Sequence, residues 1–519
     1  MNEIIVIGSG PAGISSSKAL IEKNKKVLLI DVGFEIENDF REMKNKLSKK
    51  EPGNWSSEDK KLVLDSINFN LQGADTKKLY CSDFASKKNF FSNIEMINCK
   101  PYVSYAKGGL SNLWGRSIDK YNNKDFEKWP KKIKNLDFYY KKILKFMDIS
   151  IWNFNNKNSH FFEKSRNNYY LSKQSEYLIG KYKKNYEFLN KKGISLKSNV
   201  IAGSFNDCKY CGMCLYGCYY DILYTTVDTI NELEKESNFN YLSGYTVTEI
   251  IEEKSKKNIR IQAINNKTSE VEVFISNKVY LAAGAISSTK IIMESNKIYN
   301  KQITIKTSDL YYIPGLTLKN IKNIKDEMLF TLSQLSLNIQ DTKISKKPIN
   351  IYIHGYNNLF EKVFNNKDFL KVILFKLLNL ILGRVVVLFN YIHSDYSSIL
   401  QLELLNNKLI LKGVENKKSK LINFKIKIKL LKSIFKTGII PIFFLNKKRP
   451  IGSSSHLGSS FPMSDNPKYL ESDIYGRVCG YKNIHIVDSS VLPNIPSISH
   501  TFTIMANAYR IAYETCNEK

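Results

Sequence analysis

The stretch EIIVIGSGPAGISSSKALIEKNKKVLLIDVG, residues 3–33, leaves its chain few folds to choose from. An apolar run, Ile4 to Ile7, feeds Gly8-Ser9-Gly10-Pro11-Ala12-Gly13; a helical pattern follows, and a second apolar run, Val27 to Ile30, ends at Asp31. That order predicts strand, tight turn, helix and strand. Gly8 allows the turn, Gly10 lets the backbone approach a pyrophosphate, and Gly13 lets helix and strand pack closely. The pyrophosphate would sit in the turn, against Ala12 and the helix N-terminus, where unpaired N–H groups favour an anion. Asp31 stands where a carboxylate accepts hydrogen bonds from a ribose. The segment predicts an α/β fold with a bound dinucleotide.

At 519 residues the chain has room for about two to four domains. A buried strand beginning near residue 3 leaves no space for an export signal. A cytoplasmic, reducing setting is expected, in which clustered cysteines serve as metal ligands or redox groups more readily than as disulfides. The net charge of +29 would attract nucleic acid or an anionic membrane. Its lysines are spread along the whole chain, however, and no zinc-finger or RNP1-like pattern occurs, so nucleic acid is not expected as a partner. The longest apolar stretch, Phe369 to Ile392, is interrupted by Lys371, Lys376 and Arg384 and does not read as a spanning helix. Together with Phe424 to Arg449, which alternates lysines with large apolar residues, it reads as core with a solvated lysine face. A peripheral membrane contact is the other reading.

Further along, IRIQAINNKTSEVEVFISNKVYLAAGA predicts a hairpin turning at Asn265-Asn266, then a buried strand ending in Ala283-Gly284-Ala285 and a helix. Small residues at that strand-to-helix turn suit a second close approach to the nucleotide. ILQLELLNNKLILKG predicts another hairpin, turning at Asn406-Asn407.

Four of the eight cysteines lie in CKYCGMCLYGC. Cys208, Cys211, Cys214 and Cys218 follow C-x2-C-x2-C-x3-C, a spacing by which a short loop wraps thiolates around a [4Fe–4S] cubane. Free thiols or disulfides in a structural loop, and zinc, are the other readings. In two-cluster ferredoxins the fourth cysteine of such a run serves the other cluster, and no second run exists here. Either Cys218 closes the site, or a distant Cys81, Cys99 or Cys479 does.

The C-terminal HLGSSFPM and GRVCGYKNIHIVDSSVLPNIPSISHTFTIMANAYRIA resemble the signature of the glucose–methanol–choline (GMC) flavin oxidoreductases: HxxGTxxM, a strand ending in VDxSxxP, then a second catalytic position before a TIMAxA-like helix. AKGGLSNLWGR, FEKWPKKIKNLDFYY and VYLAAGAISSTKIIMES resemble further family segments, in the family's order. Ser459-Ser460 replaces the family's Gly-Thr.

The resemblance implies a Rossmann-like FAD-binding domain and an α+β substrate-binding domain with an antiparallel sheet. The first would comprise residues 1–128, 197–296 and 452–519, with the cysteine loop 207–221; the second, residues 129–196 and 297–451. It implies FAD held by Gly8, Gly10, Ala12, Gly13, Asp31, Gly108, Gly109, Asn112, Val247, Ala283, Gly284, Asp488 and Thr501. Some relatives attach FAD through a histidine before the tryptophan of the glycine-rich segment; Leu113 stands there, which predicts non-covalent flavin. His456 is implied as the base and His500 as its partner, for oxidation of an alcohol by hydride transfer to flavin N5. The substrate class is a sugar, a sugar derivative or a long-chain or lipid-linked alcohol, and an acceptor protein or quinone, not dioxygen, would take the electrons. An electron-transfer subunit without an alcohol substrate, and a flavin-dependent reductase or isomerase, are the rival readings. His354, His393, His160 and His485 carry no motif and read as ordinary surface or core histidines.

Overall fold

The computed structural model describes residues 2–66, 78–86, 94–152, 159–162, 168–253, 258–359, 381–405 and 408–518. The opening motif folds as its residues require. β1 (Asn2–Ile7) runs into α1 (Pro11–Glu22), which returns to β2 (Val27–Ile30), parallel to β1. Both strands are buried along the apolar runs that form them, as expected of a parallel sheet covered on two faces.

Five later elements complete this sheet: β3 (Phe239–Leu242), β4 (Tyr245–Glu253), β5 (Asn258–Asn265), β6 (Val271–Leu281) and β7 (Ile484–Ile486). The parallel order is β3-β2-β1-β6-β7, and β5 and β4 add an antiparallel meander on β6. The hairpin between β5 and β6 forms as expected, but the hairpin strand and the following buried strand are one element. β6 is eleven residues long, pairing with β5 through its first half and with β1 and β7 through its last residues. Its burial changes accordingly, from half-exposed to wholly buried after Lys278.

α2 (Ala285–Ser295) leaves β6 through the Ala283-Gly284 turn, and α3 (Thr501–Thr515) packs along α1. Small residues permit that packing: Ser15, Ser16, Ser17 and Ala19 of α1 are buried, and the Ser16 hydroxyl donates to the Ala508 carbonyl at 3.3 Å.

Besides a small three-stranded sheet of Ser117–Ile118, Val200–Ala202 and Ile149–Ile151, two further sheets lie among the described residues. One is antiparallel throughout and joins Ile194–Ser198, Leu335–Ile339, Ile349–His354, Val385–Tyr391, Leu310–Thr317, Ile439–Pro441 and Lys447–Lys448. The other holds the second expected hairpin, Ile399–Leu405 against Lys408–Val414, and attaches Ile303–Thr307 to Leu457–Gly458. Residues 406 and 407, where that hairpin was expected to turn, lie outside the described residues.

Of the lysine-interrupted stretch Phe369 to Ile392, residues 369–380 lie outside the described residues, and Val385–Tyr391 is a strand of the antiparallel sheet. No described helix is long and apolar enough to cross a membrane. The second stretch contributes to the helix Lys417–Leu431, which buries Ile422, Ile426 and Leu430 and exposes Leu421 and Phe424.

Candidate active site and a four-cysteine cavity

The turn after β1 is shaped for a backbone to be approached closely. Gly8 has φ of +98°, and a Cβ there would lie 2.6 Å from the Ala282 carbonyl oxygen. A Cβ on Gly13 would lie 1.8 Å from the Gly8 oxygen, so α1 packs directly on the turn. Gly10 and Gly284 are the opposite case: a Cβ on either meets nothing within 4 Å, leaving space beside the two strand-to-helix turns. Gly109, φ +53°, sits over Gly10, its Cβ position 3.3 Å from the Gly10 Cα. The Ser9 hydroxyl accepts from the Gly108 N–H at 2.8 Å, fixing the glycine-rich segment to the nucleotide turn. This cradle fits the pyrophosphate of a dinucleotide, and the donor set at α1 fits its charge.

The acidic groups have definite partners. Asp31 ends β2 and accepts from the Ser9 and Tyr241 hydroxyls; burial pushes its carboxyl up to about 6, so it remains ionised at neutral pH. Asp488 accepts from Gly284 N–H at 2.9 Å, the Ser288 hydroxyl at 2.5 Å and Ser490 N–H at 2.9 Å. It therefore ties the β6–α2 turn to the chain leaving β7. Asn112 donates to the carbonyls of Lys107 and Gly109, both at 2.9 Å, and shapes the glycine-rich loop. Val247 lies in β4 opposite Ala263, and Thr501 is the first residue of α3.

His456 and His500, 44 positions apart in sequence, meet edge to face with ring centroids 4.6 Å apart. Leu457–Gly458 holds the first by pairing with Ile303–Thr307, and the second caps α3. The His456 ring stacks on Tyr391 at 4.5 Å, a contact that the sequence hides because Tyr391 ends a strand of the distant antiparallel sheet. The Nδ1 atom of each histidine is buried without a hydrogen-bond partner. Burial, with a smaller push from His500, lowers His456 well below its usual 6.5, and burial alone lowers His500 to about 4. Both are neutral at pH 7.

The departure at Ser459-Ser460 has a structural account. Ser459 occupies φ of +65°, a conformation that glycine adopts without cost. Ser460 retains the hydroxyl of a threonine and accepts from Thr289 at 2.8 Å. The other described histidines sit elsewhere. His393 accepts from Asp395 N–H, His485 stacks on Tyr280 with its Nδ1 near the Tyr475 carbonyl, and His354 packs on Phe389.

The cysteine run forms a second site. Cys208, Cys211, Cys214 and Cys218 line one small cavity that is partly open to solvent. The three candidates for a distant ligand are elsewhere: Cys81 faces the Leu62 carbonyl, Cys99 that of Leu411, and Cys479 packs in the nucleotide-binding core. All eight cysteines are free of disulfides. Among the described residues no three His, Cys, Asp or Glu side chains converge on a single metal ion.

Motif reading passed over the arginine of WGR. Arg116 is 6% exposed and donates to the Trp114 carbonyl at 2.8 Å and the Asn112 carbonyl at 3.1 Å, while its Nε has no partner. It makes no ion pair among the described residues. Burial lowers its pKa, and the groups opposing that shift are Tyr80, Cys218, Cys214 and Asp228, in that order.

Two GMC oxidoreductase family models match, over residues 106–307 and 444–508. An uncharacterized GMC-type oxidoreductase, y4nJ, of Sinorhizobium fredii is 38% identical over 73 residues, 13% of this chain; the matched part spans 14% of that protein's length. Among solved structures, pyridoxine 4-oxidase from Mesorbium loti aligns over the whole of both chains with a TM-score of 0.59 and 12% identity. A variant of formate oxidase from Aspergillus oryzae aligns over all of this chain and 98% of its own, with a TM-score of 0.63 and 11% identity. At these identities the likeness is one of fold.

Proposed function

This chain belongs to the GMC oxidoreductase family, a family of FAD-binding oxidoreductases, and on that premise we propose that it oxidises an alcohol at the His456/His500 pair. The observation that carries the reading is the pair itself: two buried, neutral imidazoles 4.6 Å apart, each with an unpartnered Nδ1. FAD, held without a covalent bond by the glycine turns after β1 and β6 and by the Gly108-Gly109 segment, supplies the hydride acceptor when bound.

Loss of hydride from an alcohol carbon leaves positive character that is relieved only when the hydroxyl proton leaves. His456 is assigned as its acceptor and His500 as the group hydrogen-bonded to the alcohol oxygen. Burial, the main cause of both shifts, disfavours the imidazolium at His456 and His500. A base this weak does not ionise a resting alcohol, whose hydroxyl is far less acidic. It takes the proton only as positive charge grows on the carbon, so proton removal and hydride loss are coupled. Tyr391 holds the His456 ring by stacking, and the bond from Thr289 to Ser460 holds the segment that carries it.

The substrate is assigned as a sugar, a sugar derivative or a long-chain or lipid-linked alcohol. The electrons are assigned to an acceptor other than dioxygen. The test is an anaerobic screen of alcohols and sugars for bleaching of the protein's flavin. Bleaching by at least one class, lost in His456→Ala with FAD content intact, supports the reading. Equal bleaching by the variant overturns it.

A further inference from the structure

A buried arginine with an unpartnered Nε and no ion pair among the described residues is costly, because an unmet donor and a poorly compensated buried charge both destabilise. Arg116 lies in that position, between two features that sequence alone leaves unconnected. On one side its guanidinium donates to Asn112 and Trp114 of the glycine-rich segment, which covers Gly10. On the other, Cys218 and Cys214 of the cavity lie within electrostatic range of it. A group of negative charge in that cavity would give Arg116 its missing counter-charge.

The loop is built to hold such a group through sulfur. Tyr210 N–H donates to Cys208 Sγ at 3.4 Å, Ile222 N–H to Cys218 Sγ at 3.2 Å and Thr331 N–H to Cys214 Sγ at 3.4 Å. Burial pushes all four thiols up, and the three backbone donors act against that shift, since hydrogen bonds to the charged form favour that form. Left-handed turns at Tyr210, φ +47°, and Gly212, φ +74°, curl the chain around the cavity. Gly217 admits no side chain, since a Cβ there would lie 2.6 Å from the Tyr80 ring.

The arrangement also discriminates between metals. Tetrahedral zinc draws four sulfurs to about 2.3 Å from one point. Here the four cysteines come from one short run and line one cavity, not two separated C-x2-C knuckles. A cubane takes its thiolates at its corners and needs the space between them.

We propose that Cys208, Cys211, Cys214 and Cys218 ligate a [4Fe–4S] cluster in the cavity they line, with Arg116 as its buried counter-charge. Four thiolates on a 2+ core leave a formal dianion, which one guanidinium and the backbone donors partly balance. Cys218 completes the set, and Cys81, Cys99 and Cys479 are not needed. The proposal adds an electron outlet to the proposed alcohol oxidation and is independent of it as a binding site. In turnover, an alcohol oxidised to a carbonyl would release two electrons and two protons. The electrons would leave singly to two equivalents of a one-electron carrier protein, and the protons would pass to solvent.

The test is iron, acid-labile sulfide, zinc and flavin content of the full chain purified without oxygen and reconstituted with ferrous iron and sulfide. Electron paramagnetic resonance after dithionite reduction follows. Four irons and four sulfides per chain, with the signal of a reduced cubane, are expected for the wild type and for Cys81→Ser. Loss of both is expected in Cys214→Ser and Cys218→Ser. Flavin-loaded wild type without iron and sulfide, or with one zinc instead, overturns the proposal. So does Cys218→Ser retaining a full cluster. Should the cysteine variants fail to fold, the wild-type stoichiometry decides alone. Because flavin is measured separately, a missing cluster is distinguishable from a missing flavoenzyme.

Discussion

The histidine pair and the cysteine cavity are both buried polar sites, and they differ in what burial leaves unfinished. At the histidines it leaves two neutral rings with open Nδ1 atoms. At the cysteines it leaves an arginine with no ion pair among the described residues and three backbone donors pointing at sulfur. The first arrangement suits chemistry that makes positive charge briefly; the second suits a resident negative group. A buried site is read better from the charge it lacks than from the residues it holds.

The largest effect expected is at the histidines. His456→Ala and His500→Ala should each lower kcat/KM by roughly 10²–10⁴-fold, the usual worth of a positioned acid or base, in steady-state assays with FAD and iron content unchanged. Loss of iron in either variant would break the separation of the two sites. Cys214→Ser should show the reverse pattern. It should lose its iron and reduce turnover with a one-electron acceptor far more than it slows anaerobic flavin bleaching, measured by stopped-flow absorbance.

The contrast can be sharpened by pH. Because burial holds His456 well below 6.5 and His500 at about 4, the acid limb of kcat/KM should lie clearly below pH 6.5. The same shifts act on stability. A histidine with a depressed folded pKa contributes fully above its unfolded value near 6.5, and the contribution is lost as pH falls toward the folded value. Asp31 and Asp125, both raised to about 6, act in the opposite sense and gain as pH falls from 6. Thermal unfolding of His500→Asn should therefore show a shallower decline between pH 6.5 and 4 than the wild type.

A smaller effect is expected at the supporting residues. Tyr391→Leu removes a stack of the kind worth about 0.5–1.5 kcal/mol and should lower kcat/KM by about tenfold or less. Arg116→Met should move the reduction potential of the cysteine site to more negative values, since it removes the positive charge that favours an added electron. A potential unmoved in Arg116→Met would disprove the counter-charge role.

What could be read from the sequence follows from how local the physics is. Gly8, Gly10 and Gly13 act on one another within six residues, so the turn, the helix and the parallel pair were legible. The pairing of His456 with His500 was reached only through a family resemblance, because nothing local joins two segments 44 residues apart. Tyr391 and Arg116 were not found at all. Each is ordinary in its own segment, and each matters through a neighbour brought close by the tertiary fold. The length of β6 was missed for a related reason. Its first half alternates and its second half is apolar throughout, because one strand serves a half-exposed hairpin and a buried parallel sheet in turn.

Chemical rescue tests the central claim most directly. Anaerobic single-turnover bleaching of His456→Ala by a reactive alcohol should be slow and should rise with added imidazole toward the wild-type rate. Bleaching of the unrescued variant at the wild-type rate would contradict the assignment of His456 as the proton acceptor.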